Sequence, residues 1–236
     1  MQCVVLAGGL GTRLSSVAGD TPKTLMRVGG RPFAEYQLSW LADNGVTDVV
    51  YCIGHGGEQV RNHLGDGSAF GLSIQYVDEG TQLRGTGGAL RLAFDSGALH
   101  ARFFVLYGDS LLDLDLRAVN TRFVSSGCSA LMTVFHNHGQ FDTSNAAFDG
   151  VLVAYDKRHP RKDMRWIDYG LMMFSKRVIE EIEDDSVVDL CDLLKELSDR
   201  NELAGFEADR RFFEIGTPEA LMELEEAMTA GRNQRR

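Results

Sequence analysis

A glycine-rich segment near the N-terminus carries the strongest chemical signal of the chain. The segment reads Leu6-Ala-Gly-Gly-Leu-Gly-Thr-Arg-Leu14, and Pro22-Lys23 follows it. Three glycines within four positions let the backbone approach a ligand with its N–H groups free, which is how a protein holds phosphates without side chains. Arg13 and Lys23 add cations beside this turn. The segment therefore predicts a site for a polyphosphate that is held and then cleaved.

Two familiar glycine patterns do not fit this segment. A phosphate loop of the form G-x-x-x-x-G-K-[ST] is absent, and the dinucleotide-binding fingerprint would require glycine where Leu14 stands. Taken alone, the segment leaves open one alternative, which is a glycine-rich turn between a strand and a helix with solvated charges.

Two carboxylates are candidates for binding a divalent cation. Asp109 follows the apolar run 103–107, and Glu214 lies in a second short apolar run, 212–215. Mg²⁺ bound to a nucleotide usually takes one or two protein carboxylates, and phosphate oxygens and waters complete its shell. For each carboxylate alone, capping of the following turn or helix is the competing interpretation.

Two further segments could contact a ligand. The cluster Gly85-Thr-Gly-Gly88 begins a predicted helix, whose free N–H groups could receive a base edge, a ribose or a phosphate. Tight packing of that helix against the sheet is the alternative. Lys157 ends a predicted strand at 150–155, near Gly170, and could meet an anionic second substrate or be solvated.

Other reactive side chains give weaker signals. His136 and His138 alternate along a predicted strand and would share one face, but no cysteine or third histidine lies nearby, so we expect no metal there. The four cysteines are scattered through apolar segments and are expected in the core of a protein from a reducing compartment. No Ser/His/Asp arrangement with a nucleophile motif supports acyl chemistry.

Length and composition limit the possible classes of protein. A chain of 236 residues, 44% of them hydrophobic and 25% charged, can form one large α/β domain with a sizeable core. The net charge of −10 argues against a nucleic-acid-binding protein that relies on a basic face. No apolar run reaches the length of a membrane-spanning helix, and no charged-then-apolar leader precedes the first strand. We therefore expect no membrane partner and a cytoplasmic location.

The periodicity of apolar residues predicts the elements that position these groups. Strands alternate with helices up to residue 107, which predicts a mostly parallel sheet covered on both faces, with Gly8 and Asp109 at the carboxyl ends of its strands. Beyond residue 109 little helix separates the strands, which predicts an antiparallel extension. The expected strands are 2–7, 48–53, 72–77, 103–107, 129–135, 150–155, 169–174, 204–207 and 212–215. The expected helices are 32–44, 58–64, 88–94, 116–124, 176–183, 188–200 and one starting at Pro218 with Thr217 as its cap.

Taken in order, these motifs resemble the sugar-1-phosphate nucleotidylyltransferases. The matching pieces are Gly8-Gly-Leu-Gly-Thr-Arg-Leu14, Pro22-Lys23, Gly30-Arg-Pro32, Gly85-Thr-Gly-Gly-Ala89, Gly108-Asp109, Asp156-Lys157, Tyr169-Gly170 and Glu214-Ile-Gly-Thr-Pro218. The resemblance implies a Rossmann-like three-layer α/β/α fold in a single domain over residues 1–236. It also implies a nucleotide-binding half up to about residue 110 and a sugar-phosphate-binding half over about 111–230.

The resemblance also implies a role for each motif. A nucleoside triphosphate and a sugar 1-phosphate would react on Mg²⁺ to give a nucleotide sugar and pyrophosphate. Arg13 and Lys23 would be catalytic, and Asp109 and Glu214 would hold the metal. The residues implied at the nucleotide are Leu6, Ala7, Gly8, Gly9, Gly11, Thr12, Arg13, Gly87 and Gly88. Those implied at the sugar phosphate are Gly108, Lys157, Tyr169 and Gly170.

Two positions depart from the family pattern, and several properties stay open. The family usually has aspartate where Glu214 stands, and a Glu-Lys pair where this chain has Asp156-Lys157. The stretch Leu83-Arg-Gly-Thr-Gly-Gly-Ala89 looks most like guanylyltransferases that act on heptose or mannose 1-phosphate, in the synthesis of polysaccharide or lipopolysaccharide precursors. Uridylyl- or thymidylyltransferases for hexose or amino-sugar phosphates are the alternative. A further alternative is a non-catalytic regulatory subunit that binds nucleotide sugars. Whether the protein forms a homodimer stays open.

Overall fold

The computed structural model describes residues 1–9, 19–80, 84–183 and 187–233, with side chains as far as Met228. Its strands are β1 Gln2–Leu6, β2 Arg27–Val28, β3 Arg31–Pro32, β4 Asp48–Ile53, β5 Ser73–Asp78, β6 Arg102–Tyr107, β7 Ser110–Leu111, β8 Ala130–His136, β9 Ala146–Phe148, β10 Val153–Tyr155, β11 Trp166–Ser175, β12 Leu203–Ala208 and β13 Phe213–Glu214. Its α-helices are α1 Phe33–Asp43, α2 Gly57–Leu64, α3 Gly85–Asp95, α4 Leu116–Ser126, α5 Lys176–Glu180, α6 Leu190–Asp199 and α7 Pro218–Asn233. Short 3₁₀ turns lie at Lys23–Leu25 and Ser68–Phe70.

A nine-stranded mixed sheet forms the centre of the molecule. Strands β5, β4, β1 and β6 lie side by side and parallel. Strand β11 continues the sheet antiparallel to β6, β8 is antiparallel to β11, and β12 is parallel to β8. The hairpin β9–β10 adjoins β11. The predicted mostly parallel sheet with an antiparallel extension is confirmed, and the extension is continuous with the central sheet.

Helices cover both faces of this sheet because its central strands are apolar on both sides. On β1, Cys3 and Val5 join the core under α1, α2 and α4, while Val4 joins the core under α3, α5 and α6. All three side chains are fully buried. A near-continuous apolar run is what a parallel strand covered on both faces requires. The same alternation explains the buried pair Val50 and Tyr51 on β4.

A third, smaller core joins the two ends of the chain. Its buried members are Val28 on β2, Phe33 on α1, Ile215 after β13 and Leu224 on α7. Helix α7 begins as predicted, because the Thr217 hydroxyl accepts a hydrogen bond from the N–H of Ala220 at 3.2 Å. This core holds the β2–β3 hairpin, which follows Lys23 closely, against the strand that carries Glu214.

Four predicted elements differ from the structure by three residues at one end. One of them is strand β11, which begins at Trp166 rather than at residue 169. The strand expected at 150–155 starts only at Val153, because the Asp149 carboxylate accepts hydrogen bonds from the N–H groups of Val151 and Leu152 and holds a turn there. Helix α3 begins three residues earlier than predicted, at Gly85, and α5 ends three residues earlier, at Glu180.

The prediction that His136 and His138 alternate along one strand is wrong. Strand β8 ends at His136, and His138 has a φ of 50°, in the left-handed region, so the chain has already turned. The two imidazole rings are nevertheless close, with 4.0 Å between their centroids and an angle of 49° between their planes.

Two further expectations concern burial. Cys3, Cys52 and Cys191 are buried free thiols, as expected of core residues, while Cys128 is partly exposed. Among the described residues, none of the helices combines the length and the apolar character needed to cross a membrane.

Candidate active site

The site starts where two parallel strands end side by side. Leu6 on β1 is in register with Tyr107 on β6, and the N–H of Gly108 donates to the carbonyl of Leu6 at 2.9 Å. The segment containing Gly8 and the side chain of Asp109 therefore leave the sheet at the same edge. This is the edge at which sheets of this type bind their ligands.

A buried glutamine fixes the turn that carries Asp109. Gln37 on α1 is fully buried, and its amide nitrogen donates to the carbonyls of Tyr107 at 2.9 Å and Ser110 at 2.7 Å. These two carbonyls flank Asp109 on both sides. Helix α1 therefore determines where the Asp109 carboxylate points as the chain leaves the sheet.

Lys23 meets Asp109 across the mouth of the site. The ammonium group of Lys23 lies 2.5 Å from Oδ2 of Asp109, and both side chains are partly buried. Pro22 precedes the short 3₁₀ turn that presents Lys23 and is held in an extended conformation. The ion pair joins the N-terminal segment to the end of β6 and places a cation beside the glycine-rich turn.

Two cavities open on this edge and share one boundary. The first has a volume of about 400 Å³ and is lined by Leu6, Ala7, Gly8, Gly9, Lys23, Gly108 and Asp109 among others. The second has a volume of about 740 Å³ and is lined by Asp109, Lys157, Tyr169, Gly170 and Glu214 among others. Thr86, Tyr107 and Asp109 line both. The structure thus separates the residues predicted for the nucleotide from most of those predicted for the sugar phosphate, and places Gly108 with the first group.

The two candidate metal ligands lie on backbone segments that are hydrogen-bonded to each other. Strand β13 pairs with β7 so that Glu214 is opposite Ser110, and the N–H of Ile215 donates to the carbonyl of Asp109 at 3.0 Å. Both carboxylates line the second cavity. In the described part of the chain there is no group of three or more His, Cys, Asp or Glu side chains able to hold a metal. Two carboxylates facing an open cavity fit Mg²⁺, which completes its shell with waters and phosphate oxygens.

The second glycine cluster is placed differently from its prediction. Gly87 and Gly88 are buried, and their N–H groups donate to the carbonyl of Val188 at 2.8 and 3.2 Å. The start of α3 therefore packs against the segment before α6, and it is Gly85 and Thr86 that reach the first cavity. The predicted Gly11, Thr12 and Arg13 lie outside the described residues.

Asp168 is a cavity residue that the sequence reasoning missed. Its carboxylate accepts hydrogen bonds from the N–H of Gly170 at 2.9 Å and from the hydroxyl of Tyr107 at 3.3 Å. Burial raises the pKa of Asp168 to about 6, although the Gly170 N–H and the charge of Lys157 act to lower it. The available signal was an acid within the apolar strand β11, two residues before Gly170.

A backbone irregularity presents Asp168 to the cavity. The pairing of β11 with β8 shifts register between Asp168 and Met172. Within this irregularity Gly170 has a φ of 97°, and a Cβ there would lie 3.1 Å from the Ser110 hydroxyl oxygen. Only glycine adopts this conformation without strain.

Glu79 is the second residue that was missed. It directly follows β5, is only 9% exposed, and lines the first cavity. Its carboxylate lies against the glycine-rich turn, since a Cβ on Gly8 would come within 2.0 Å of Oε1 of Glu79. The signal was present in the sequence, because Glu79 follows a strand just as Asp109 does.

The fold and the paired cavities define a protein with two adjoining cavities at the edge of a Rossmann-like sheet, where sheets of this class bind their ligands. A model of the nucleotidyl transferase family matches residues 2–231. The chain belongs to this family, and it is a sugar-1-phosphate nucleotidylyltransferase, an enzyme of nucleotide sugar biosynthesis.

Individual relatives agree on the family but differ in substrate. The chain is 26% identical to the D-glycero-alpha-D-manno-heptose 1-phosphate guanylyltransferase of Campylobacter jejuni, covering 93% of this chain and 96% of the relative. It is 27% identical to the glucose-1-phosphate cytidylyltransferase of Salmonella typhimurium, covering 88% of each. The crystal structure of HddC from Yersinia pseudotuberculosis complexed with GMP-PN is 25% identical, with a TM-score of 0.77, covering 96% of this chain and 99% of that one. Enzymes of this family generally use a divalent metal.

The raised pKa of Asp168 gives a prediction about stability. Between about pH 4 and pH 6 the native carboxyl holds a proton that the unfolded chain releases, so this group lowers the free energy of unfolding as the pH rises through that window. Asp168→Asn removes the titration. We expect the variant to gain stability relative to the parent between pH 4 and pH 6, by up to about 3 kcal/mol, with a constant difference above pH 6.

Urea unfolding at pH 4, 5, 6 and 7.5 measures this difference. Asp163→Asn is the matched control, because Asp163 is exposed and its pKa is lowered by Arg161. A difference for Asp168→Asn that does not change with pH would contradict the prediction.

Proposed function

We propose that this enzyme transfers GMP from GTP to a sugar 1-phosphate, with D-glycero-D-manno-heptose 1-phosphate or mannose 1-phosphate as the acceptor. The products are the GDP-sugar and pyrophosphate. The observation that carries this proposal is the junction of the two cavities at Tyr107 and Asp109, with Lys23 bound to Asp109 at that point. A reaction between two phosphates requires this arrangement, because both must meet at one place beside a cation.

In the proposed reaction the triphosphate occupies the first cavity and the sugar phosphate the second. The N–H groups around Gly8 and Gly9, together with Arg13, hold the triphosphate, and Lys157 with Gly170 holds the sugar phosphate. An oxygen of the sugar phosphate attacks the α-phosphorus of GTP in line, and the bond from that phosphorus to the bridging oxygen breaks. Pyrophosphate leaves with the electron pair. Because little covalent chemistry falls to the protein, positioning and charge neutralisation account for catalysis.

In this scheme the ion pair between Lys23 and Asp109 separates, and each side chain binds a new partner. In the structure the ammonium group of Lys23 neutralises Asp109. With substrates bound, Lys23 instead stabilises the charge that develops on the transferring phosphate. Asp109 and Glu214 would hold Mg²⁺, which when bound would neutralise charge on the phosphate oxygens. Because the ammonium group of Lys23 lies 2.5 Å from Oδ2 of Asp109, the ion pair keeps Lys23 at the reacting position before substrate binds.

The choice of GTP and of a heptose or mannose phosphate is supported by similarity to two proteins. The relative in Campylobacter jejuni is a heptose 1-phosphate guanylyltransferase, and the structural neighbour HddC was crystallised with GMP-PN. The second candidate function is uridylyl or thymidylyl transfer to a hexose or amino-sugar 1-phosphate. It is favoured by the 30% identity over 188 residues to a glucose-1-phosphate thymidylyltransferase of Streptomyces antibioticus.

A substrate screen tests the proposed function. GTP, UTP, dTTP, CTP and ATP are each combined with heptose, mannose, glucose and amino-sugar 1-phosphates in the presence of Mg²⁺, and pyrophosphate release is measured. We expect the fastest release with GTP and either heptose or mannose 1-phosphate. Fastest release with UTP or dTTP would establish the second candidate, and no release from any pair would contradict both.

The first prediction for this site concerns Lys23. Lys23→Ala should keep the fold but lower turnover at saturating substrates by about two to three orders of magnitude, the usual effect of removing one preorganised charge from a transition state. Lys162→Ala is the control, since Lys162 is an exposed lysine outside both cavities. Turnover of Lys23→Ala within threefold of the parent would remove Lys23 from the mechanism.

The second prediction concerns the metal ligands. Asp109→Asn and Glu214→Gln should each abolish most activity and recover part of it at higher Mg²⁺. Glu214→Asp should retain substantial activity, because a small shift of the ion within its water shell absorbs one methylene. Titrations of activity against Mg²⁺ measure these effects. Asp113→Asn is the control, an exposed carboxylate paired with Arg210, and equal Mg²⁺ dependence in all variants would exclude the proposed ligands.

A further inference from the structure

The second cavity has an aromatic part that the proposed reaction does not use. Besides the two candidate metal ligands, Asp109 and Glu214, this cavity is lined by Phe141, Arg211 and Phe212. It is also larger than the first cavity, with a volume of about 740 Å³ against about 400 Å³. The cavity therefore offers an aromatic surface in addition to the part that we propose for the phosphate of the acceptor.

The aromatic part lies away from the candidate metal ligands. The guanidinium group of Arg210 donates to Asp113 at 2.7 Å, so the chain before Glu214 continues alongside the chain after β7. Arg211 is three residues before Glu214, and three extended residues span up to about 10 Å. The guanidinium carbon of Arg211 lies 4.6 Å from the centroid of the Phe141 ring. Phe141 thus lies at the end of the cavity that is farther from the metal ligands.

One buried side chain organises the loop that presents Phe141. This loop, residues 137–145, connects β8 to β9. The Oδ1 atom of Asn137 accepts a hydrogen bond from the N–H of Phe141 at 3.0 Å. Its Nδ2 atom donates to the carbonyl of Asp142 at 2.7 Å and to the hydroxyl of Ser144 at 3.0 Å. The position of Phe141 at the cavity is therefore fixed by hydrogen bonds within the loop.

Phe141 stays partly exposed although other groups surround it. Its ring centroid lies 6.0 Å from that of Phe135 and 6.4 Å from that of Phe212, yet the residue is 36% exposed. Both terminal nitrogens of Arg211 donate to the carboxylate of Glu223 on α7, which holds the guanidinium group against the ring. Exposing apolar surface costs about 25 cal/mol per Å². The exposed part of the ring is therefore a surface that gains from contact with an apolar part of a ligand.

The groups at this end of the cavity fit the exocyclic chain of a sugar. Such a chain has C–H groups that pack on an aromatic ring, and hydroxyl groups that both donate and accept hydrogen bonds. The guanidinium group of Arg211 is a donor, and the carboxylate of Asp142, which also lines the cavity, is an acceptor. A heptose carries one exocyclic carbon and one hydroxyl group more than a hexose such as mannose.

We propose that Phe141, with Arg211 and Asp142, binds the exocyclic carbons of the acceptor sugar and makes the enzyme prefer heptose 1-phosphate to mannose 1-phosphate. This inference rests on the proposed function, because it requires the phosphate of the acceptor at Asp109 and Glu214. From there the sugar extends along the cavity, and the longer exocyclic chain of a heptose reaches the Phe141 ring. The contact involves a part of the acceptor that does not react, so it contributes to binding and specificity.

The test compares Phe141→Ala with the parent on two acceptors. Pyrophosphate release is measured with GTP and either D-glycero-D-manno-heptose 1-phosphate or mannose 1-phosphate. We expect the parent to prefer the heptose by about tenfold or more in kcat/KM, the effect of one extra carbon bound at an apolar surface. Phe141→Ala should reduce this preference to about threefold or less by raising the KM for heptose 1-phosphate. Its kcat, and its kcat/KM for mannose 1-phosphate, should stay within about twofold of the parent.

Three further variants make the test specific. Phe141→Tyr keeps the ring and should keep the preference of the parent. Val151→Ala is the matched control, because Val151 is an exposed apolar residue outside both cavities, and it should leave every constant unchanged. Asp142→Ala removes an exposed acceptor without a change in the core, and it should lower the preference for the heptose by about threefold. A thermal melt checks the folding of each variant, and Asp142→Ala decides the test if Phe141→Ala does not fold.

The outcomes separate this inference from the proposed function. Equal kcat/KM for the two acceptors in the parent, or a higher value for mannose 1-phosphate, would overturn the inference and leave guanylyl transfer intact. The same holds if Phe141→Ala keeps the full preference or loses activity equally with both acceptors. If GTP does not react, the proposed function fails, and the two acceptors are compared with the triphosphate that does. If no triphosphate reacts, calorimetry compares the binding of the two sugar phosphates, and equal affinities would overturn the inference.

Discussion

The parallel pairing of β1 with β6 is the constraint on which the site depends. Because Leu6 is in register with Tyr107, the glycine-rich turn and Asp109 emerge together at one edge of the sheet. The other contacts of the site are made at this edge. The amide group of Gln37 donates hydrogen bonds to the two carbonyls that flank Asp109. The N–H of Ile215 donates to the Asp109 carbonyl, which places the neighbouring Glu214 near Asp109. A shift of one residue in the pairing of β1 with β6 would turn the side chains of the shifted strand to the opposite face of the sheet and separate the groups of the site.

Much of this arrangement could be predicted from the sequence because it follows from local patterns. Apolar runs of five or six residues identified the central strands, and the rule that ligands bind at carboxyl ends of parallel strands placed Gly8 and Asp109 at one edge. Gly87 and Gly88 were predicted less well. Whether a helix start offers its N–H groups to a ligand depends on what packs against it, and here the carbonyl of Val188, a hundred residues later, accepts them.

The two missed carboxylates show a different limit of sequence reasoning. Asp168 reaches the cavity through a register shift around Gly170, and no periodicity of side chains predicts such an irregularity. Glu79 could have been found by the rule that found Asp109, yet its burial depends on the absence of a side chain at Gly8. Both acids acquire raised pKa values only in the folded chain, where burial disfavours the charged form of the carboxyl group.

The small core formed by Val28, Phe33, Ile215 and Leu224 joins the first elements of the chain to the last. Contacts between residues so far apart in sequence form only after most of the chain has folded. During synthesis on the ribosome, the hairpin after Lys23 is therefore made early but stays without its packing partner until α7 has left the exit tunnel. A nascent chain contains the glycine-rich segment long before it contains the strand that carries Glu214, so the site is complete only after β13 and α7 have been synthesised.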